Sequence, residues 1–304
     1  MLVLAAVVLG AAAWIWLRGD ALAPLISEMA RLGILPTRLC ASSLHAAVAL
    51  ARATRRLRLR GRDLASPEVQ AALRPLEQLE AFLVEDCTLE VNGFQQLRKA
   101  LESCSEVAFL RCPLGALPSG LVELAPRALR PRGSAAPQRT HLAMSLVALD
   151  LSANRLTGSG RTLALLLRHC NQLALLQLDD CALSLEDLSQ LARALARSRL
   201  ERLDLAGNAL RREGLLAVAR SLPSSHVQDL GLERNGIVLG DALSELKRAH
   251  DKRPFPGLRL QGNRLSSAEQ RAFLASLQAA TSRRLAGAFC PPGCKCFEGR
   301  GEVM

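Results

Sequence analysis

Tyrosine is absent from this chain of 304 residues, and aromatic residues make up only 3% of it. Stacking platforms for unpaired bases need exposed rings, so single-strand nucleic-acid binding of that kind is not supported. No N-x-S/T sequon occurs, although asparagine recurs along the chain. The nine cysteines are an odd number and lack the spacing of a secreted disulfide framework. Both absences favour the cytosol or nucleus over secretion. Five histidines (His45, His141, His169, His226, His250) are scattered, with no metal-ligand spacing to one another or to a cysteine cluster. G-x-S-x-G, P-loop and H-E-x-x-H motifs are also missing. No enzyme, cofactor or metal is expected.

What the chain does have is a repeat, L-x-x-L-x-L-x-x-(N/C)-x-L. It reads LVALDLSANRL from Leu146, LALLQLDDCAL from Leu173, LERLDLAGNAL from Leu200, VQDLGLERNGI from Val227 and FPGLRLQGNRL from Phe255. Those starts are 27, 27, 27 and 28 residues apart. Earlier copies, LEAFLVEDCTL from Leu79 and CSEVAFLRCPL from Cys104, lie 25 apart. A fixed period of this size predicts stacked units, each too small to bury its own apolar face.

Within a copy, the central x-L-x-L-x predicts a short strand whose leucines point into the stack and whose x residues point out. The period then turns helical, with Leu188, Leu191 and Leu195 in one repeat and Leu215, Val218 and Leu222 in the next. Asn154, Asn208, Asn235 and Asn263 stand where the chain leaves the strand and backbone groups need partners. An amide has the donors and acceptor to bridge adjacent turns. Cys87, Cys112 and Cys181 occupy the same slot as small buried thiols. These seven residues form the expected structural ladder.

The formal net charge is +11, which invites a nucleic-acid reading. Placement argues against it. The outward strand positions hold Glu85, Glu106, Asp150, Asp179, Asp204, Asp229 and Glu233, opposed there by Arg202 and Arg259. An acidic inner face suited to a basic protein segment is therefore expected. Arg161, Arg168, Arg193, Arg197, Arg211, Arg212 and Arg220 fall in the helical halves, as a solvated face or a phosphate-tracking stripe.

Regularity fails in five places. TRRLRLRGRDL from Thr54 reads as a degenerate first copy, with Arg56, Arg58 and Arg60 outward as a basic end and Arg62 in the slot; a basic helix or linker is the alternative. Residues 18–53 are expected as a helical lead-in. An insertion at about 118–144, rich in proline and arginine, reads as a loop that either meets a partner or is inert. Beyond Ser282 comes a tail (283–304) with Cys290, Cys294 and Cys296, whose spacing does not match a paired zinc frame. Met1–Leu17 is apolar and uncharged, at the lower limit of a membrane span. It reads as an anchor, a cleaved signal, or a start that belongs to an alternative product.

Over Thr54 to Ser282 the repeats resemble leucine-rich repeats of the ribonuclease-inhibitor-like type. That resemblance implies an α/β solenoid, a horseshoe with parallel strands on the concave face and helices on the convex face. More narrowly, the phasing at Thr54, Leu173, Leu200 and Phe255, with the short tail, resembles the C-terminal repeat region of the Tonsoku-like proteins. This implies a nuclear docking surface within a complex that repairs stalled replication forks by homologous recombination. The ankyrin repeats with which that family reads histone tails are not in this chain, so histone reading of that kind is not expected. A membrane-anchored adaptor, its repeats facing the cytosol, is the alternative.

Overall fold

The computed structural model describes residues 16–17, 40–41, 44–76, 78–89, 97, 100–101, 103–114, 117 and 146–289. The insertion at 118–144, most of the apolar start, and Cys290, Cys294 and Cys296 lie outside these residues. The chain forms two compact units: residues 1–155 with 169–173, and residues 156–168 with 174–304. Both are α/β, with every strand parallel to its neighbours, a repeat-like arrangement.

In the first unit, β1 (Trp16–Leu17) pairs with β2 (Cys40–Ala41), so the last two residues of the apolar start lie in extended backbone. Helix α1 (Leu44–Thr54) buries Leu44, Ala47, Val48 and Leu50. The segment from Thr54 then becomes a strand, β3 (Arg56–Arg60), rather than a basic helix. Its alternation explains why: Leu57 and Leu59 are buried while Arg56, Arg58 and Arg60 are exposed. A short helix, α2 (Pro67–Leu73), follows, with Pro67 in its first turn and Ser66 capping the Val69 N–H. Next come β4 (Ala81–Glu85), β5 (Glu106–Leu110) and β6 (Ala148–Asp150), paired in sequence order with β3. Leu57, Phe82, Val107 and Leu149 share one register row, and Phe82 and Phe109 meet with centroids 5.9 Å apart.

The second unit holds α3 (Gly160–His169, all but its last residue), β7 (Leu175–Gln177), α4 (Leu185–Leu195), β8 (Arg202–Asp204), α5 (Arg211–Ser221) and β9 (Asp229–Gly231). It closes with α6 (Asp241–Lys252), β10 (Gly257–Arg259) and α7 (Ser267–Phe289). Strands β7 to β10 pair in sequence order. The predicted helical sets are all buried, Leu222 within a 3-10 turn that Pro223 starts after α5. Helix α6 stops at Arg253, whose extended backbone is what a following proline imposes. Helix α7 continues past Ser282, where the repeats were expected to end. No helix among the described residues is long and apolar enough to cross a membrane.

One backbone feature recurs in every copy. The residue just before the slot has φ between 50° and 70°: Gly61, Asp86, Arg111, Ala153, Asp180, Gly207, Arg234 and Gly262. Glycine enters this left-handed region without steric cost, and aspartate tolerates it better than most residues. Turning there aims its N–H at the next copy. Asp86 N donates to Leu110 O (3.0 Å), Asp180 N to Ala206 O (2.8 Å), and Gly207 N to Glu233 O (2.9 Å).

Candidate protein-interaction face

The outward strand positions form rows across each unit, and in each unit an ion pair on them skips a strand. In the first unit Arg56, Ala81, Glu106 and Ala148 share a register row. Arg56 Nη2 passes over the small Ala81 to reach Glu106 Oε2 at 2.6 Å. Glu85 gathers Arg58 (3.7 Å), Arg60 (4.0 Å) and Arg111. Asp86, in the left-handed turn, takes Arg60 (3.1 Å) and Arg111 (2.7 Å). The Arg111 hydrogen bond, helped by Arg60 and opposed by a smaller desolvation penalty, holds the Asp86 carboxyl below its ordinary value. Asp150 turns aside, its Oδ1 accepting from Ser152 N at 2.9 Å. Expected as two surfaces, the basic end and the first carboxylates are one set of contacts.

The second unit uses the same device with glycine as the gap. Asp204 and Gly231 are register partners, as are Asp229 and Gly257. A Cβ on Gly231 would collide with Asp204 Oδ1 and stand 2.6 Å from Arg259 Nη2. Through this gap Arg259 crosses β9 to reach Asp204 (2.6 Å), while also holding Asp229 (2.5 Å) and Glu233 (2.8 Å). Desolvation works against its charge, but the carboxylates outweigh it and hold the guanidinium above its ordinary value. Arg202 adds a bond to Asp229 at 2.8 Å. Arg234 reaches over Gly207, whose Cβ would strike Asp180, to pair with Asp180 at 2.9 Å. Asp179 accepts from Ala206 N at 3.2 Å.

Beneath this face runs the ladder. Asn208 Oδ1 accepts from Cys181 N (3.0 Å), Asn235 Oδ1 from Asn208 N (2.8 Å), and Asn263 Oδ1 from Asn235 N (2.8 Å). Their amide nitrogens donate to strand-end carbonyls of the preceding copy: Asn208 to Leu178 (2.6 Å), Asn235 to Leu205 (2.9 Å) and Asn263 to Leu232 (2.8 Å). In the first unit Asn154 donates to Leu151 O (2.6 Å) and to Phe109 O, but its buried Oδ1 meets no donor among the described residues. Cysteines in the slot behave differently. Cys87, Cys112 and Cys181 each donate a long 3.4 Å contact to the carbonyl two residues back, and Cys112 also approaches Val84 O of the preceding copy at 4.0 Å. Burial pushes the Cys112 thiol up to about 11, and Cys104 and Cys170 to about 12.

The pairing partners Asp86, Arg111, Asp180 and Arg234 were absent from the sequence reading. A signal for them existed, because each immediately precedes a slot residue, as in EDC, LRC, DDC and ERN. The second unit also has a cavity of about 630 Å³ at the turn-to-helix edge, lined mainly by Ala182, Leu183, Leu185, Leu188, Ala209 and Leu210. No group of three or more His, Cys, Asp or Glu side chains among the described residues is placed to hold a metal. Neither protein-family models nor curated proteins give a match to this chain.

Proposed function

We propose that the chain is a leucine-rich-repeat array of the ribonuclease-inhibitor-like type, a horseshoe solenoid that serves as a non-catalytic protein-interaction scaffold. Its resemblance to the Tonsoku-like repeat region assigns it to a nuclear DNA-repair complex. The observation that carries the binding reading is the charge balance of β7 to β10 and the turns flanking them. Asp179, Asp180, Glu201, Asp204, Asp229 and Glu233 stand there against Arg202, Arg234 and Arg259. The three arginines pair with four of the six carboxylates and hold them in fixed positions, and the net charge is negative. A partner segment bearing arginine or lysine completes the pairing, with the rigid strands setting its register.

Arg259→Gln tests this directly, because it frees Asp204 and Glu233 and leaves Asp229 to Arg202 alone, without adding a new charge. Binding of a synthetic arginine-rich peptide, followed by fluorescence anisotropy, is expected to tighten on the order of 10-fold at low salt. Asp204→Asn with Asp229→Asn is expected to weaken it by a similar factor. If peptide affinity is unmoved in both variants, with melting curves confirming that they fold, the strand face is not the binding surface.

A further inference from the structure

The opposite side of the second unit carries a different charge pattern. Between Asp187 and Glu201 the chain has no acidic residue, and between Glu213 and Asp229 it again has none. Those two stretches are the C-terminal halves of α4 and α5 with their following loops, and they hold Arg193, Arg197, Arg199 and Arg220. All four are exposed, and among the described residues none lies within ion-pair distance of a carboxylate. Contrast the strand side, where Arg202, Arg234 and Arg259 each hold at least one. The negative ends of helix dipoles account for basic residues in a last turn, which covers Arg193 and Arg220. They do not account for Arg197 and Arg199, which lie beyond the end of α4.

We propose that this edge of α4 and α5 is a second docking surface, and that its occupant is an acidic segment of a protein partner. Arg193 and Arg220 hold the same repeat position, 27 residues apart, on helices that pack side by side. Packed helices lie about 8–10 Å apart. A peptide in the polyproline II conformation has three residues per turn and advances about 3.1 Å per residue, so carboxylates three residues apart share one face about 9 Å apart. An acidic segment laid across the helices therefore presents one carboxylate to each arginine, in the bidentate geometry that guanidinium favours. A nucleic-acid duplex fits less well. Its phosphates repeat far more densely, about one charge per 1.7 Å of axis, and Glu186 and Glu213 stand in the first turns of the same two helices.

Anisotropy titrations of the full chain separate these cases. The probe is a labelled synthetic peptide with glutamate at every third position and serine or glycine between. Its control is an isomer with the glutamates contiguous, and its competitor is a random-sequence DNA duplex. The spaced peptide is expected to bind best at low salt. Arg193→Glu with Arg220→Glu should weaken it by on the order of 10-fold. Should that double reversal unfold the chain, Arg197→Gln with Arg199→Gln replaces it, since both residues are in a loop. Arg259→Gln, on the strand side, should leave this affinity unchanged, which keeps the test apart from that of the strand face. Absence of binding, equal affinity for the two isomers, stronger binding of the duplex, or indifference to the arginine variants would overturn the proposal.

Discussion

The two units hold their neighbouring copies together by different means. Where Asn208, Asn235 and Asn263 fill the slot, each copy is tied to the next by a buried amide that accepts from one turn and donates to another. Where Cys87 and Cys112 fill it, the thiols make long contacts, to the carbonyl two residues back and, from Cys112, to Val84 O of the preceding copy at 4.0 Å. There the ties between copies are reinforced at the surface by the Arg60, Arg111, Glu85 and Asp86 cluster. Buried polar ties are strong because leaving one unmade strands a desolvated group. Exposed ionic ones are weak and screened. A repeat therefore tolerates the loss of its amide, but the replacement responds to salt and acid in a way the amide does not.

The most severe way to break this contrast is Asn235→Ala. It strands the N–H groups of Asn208 and Leu210 and leaves the carbonyl of Leu205 with Asn208 as its one remaining side-chain donor, so a loss of about 2–4 kcal/mol is expected in denaturant titrations. Asn235→Cys should cost less, since a thiol already serves this slot elsewhere. Equal losses for the two variants would show that the slot's polar contacts matter less than its shape.

Next comes Asp187, a buried carboxylate of the second unit that accepts from Gly158 N (3.0 Å), Gly160 N (2.7 Å) and the Ser184 N–H (2.9 Å). Burial raises its pKa, but these bonds and the Ser184 hydroxyl outweigh that and leave it below the ordinary value. Asp187→Asn is expected to cost about 2 kcal/mol at neutral pH. A lowered folded pKa means that the unfolded chain binds the extra proton first. The stability from Asp187 is thus complete above its unfolded value and is lost as pH falls through the folded one. The gap between variant and parent should close below about pH 4, and a constant gap would count against this carboxylate.

Gly231→Ala sharpens the comparison from the other side. Ala81 in the first unit already bears the Cβ that Gly231 lacks, and Arg56 still passes over it. In the second unit that Cβ displaces Asp204 or Arg259, at about 1–2 kcal/mol. In a double-mutant cycle, the Asp204–Arg259 coupling should vanish in the alanine background. Smallest is Glu85→Gln, expected below about 1 kcal/mol and smaller still in high salt. A larger, salt-independent loss would mean that the first unit depends on its surface charges as the second depends on its amides.

Much of the scaffold was legible because period-two and helical spacing are local properties of the chain. The alternation of RLRLR was enough to place β3, and the leucine spacing enough to place α4 and α5. The slot residues were legible too, since a polar or thiol side chain recurs inside an apolar run. The pairing on the outward face was not. Arg56 meets a residue 50 positions away and Arg259 one 55 away, across a strand whose only contribution is being small. Outward placement alone made these residues look like a basic end beside an acidic face. Contact between them depends on Ala81 and Gly231, residues that looked uninformative by themselves.

The buried cysteines have a further use as timers. Cys87, Cys104, Cys112 and Cys170 belong to the first unit, Cys181 to the second, and all five are buried thiols outside any disulfide. Cys104, Cys112 and Cys170 have pKa values raised far above neutrality by burial, so in the closed state they offer alkylating reagents neither access nor thiolate. Modification must wait for the copy that holds them to open. In a chain whose Cys40, Cys290, Cys294 and Cys296 are replaced by serine, the order in which the five react would record which repeats part first. The substitutions that weaken the ladder would thus also write the local opening rates of the array into its own labelling pattern.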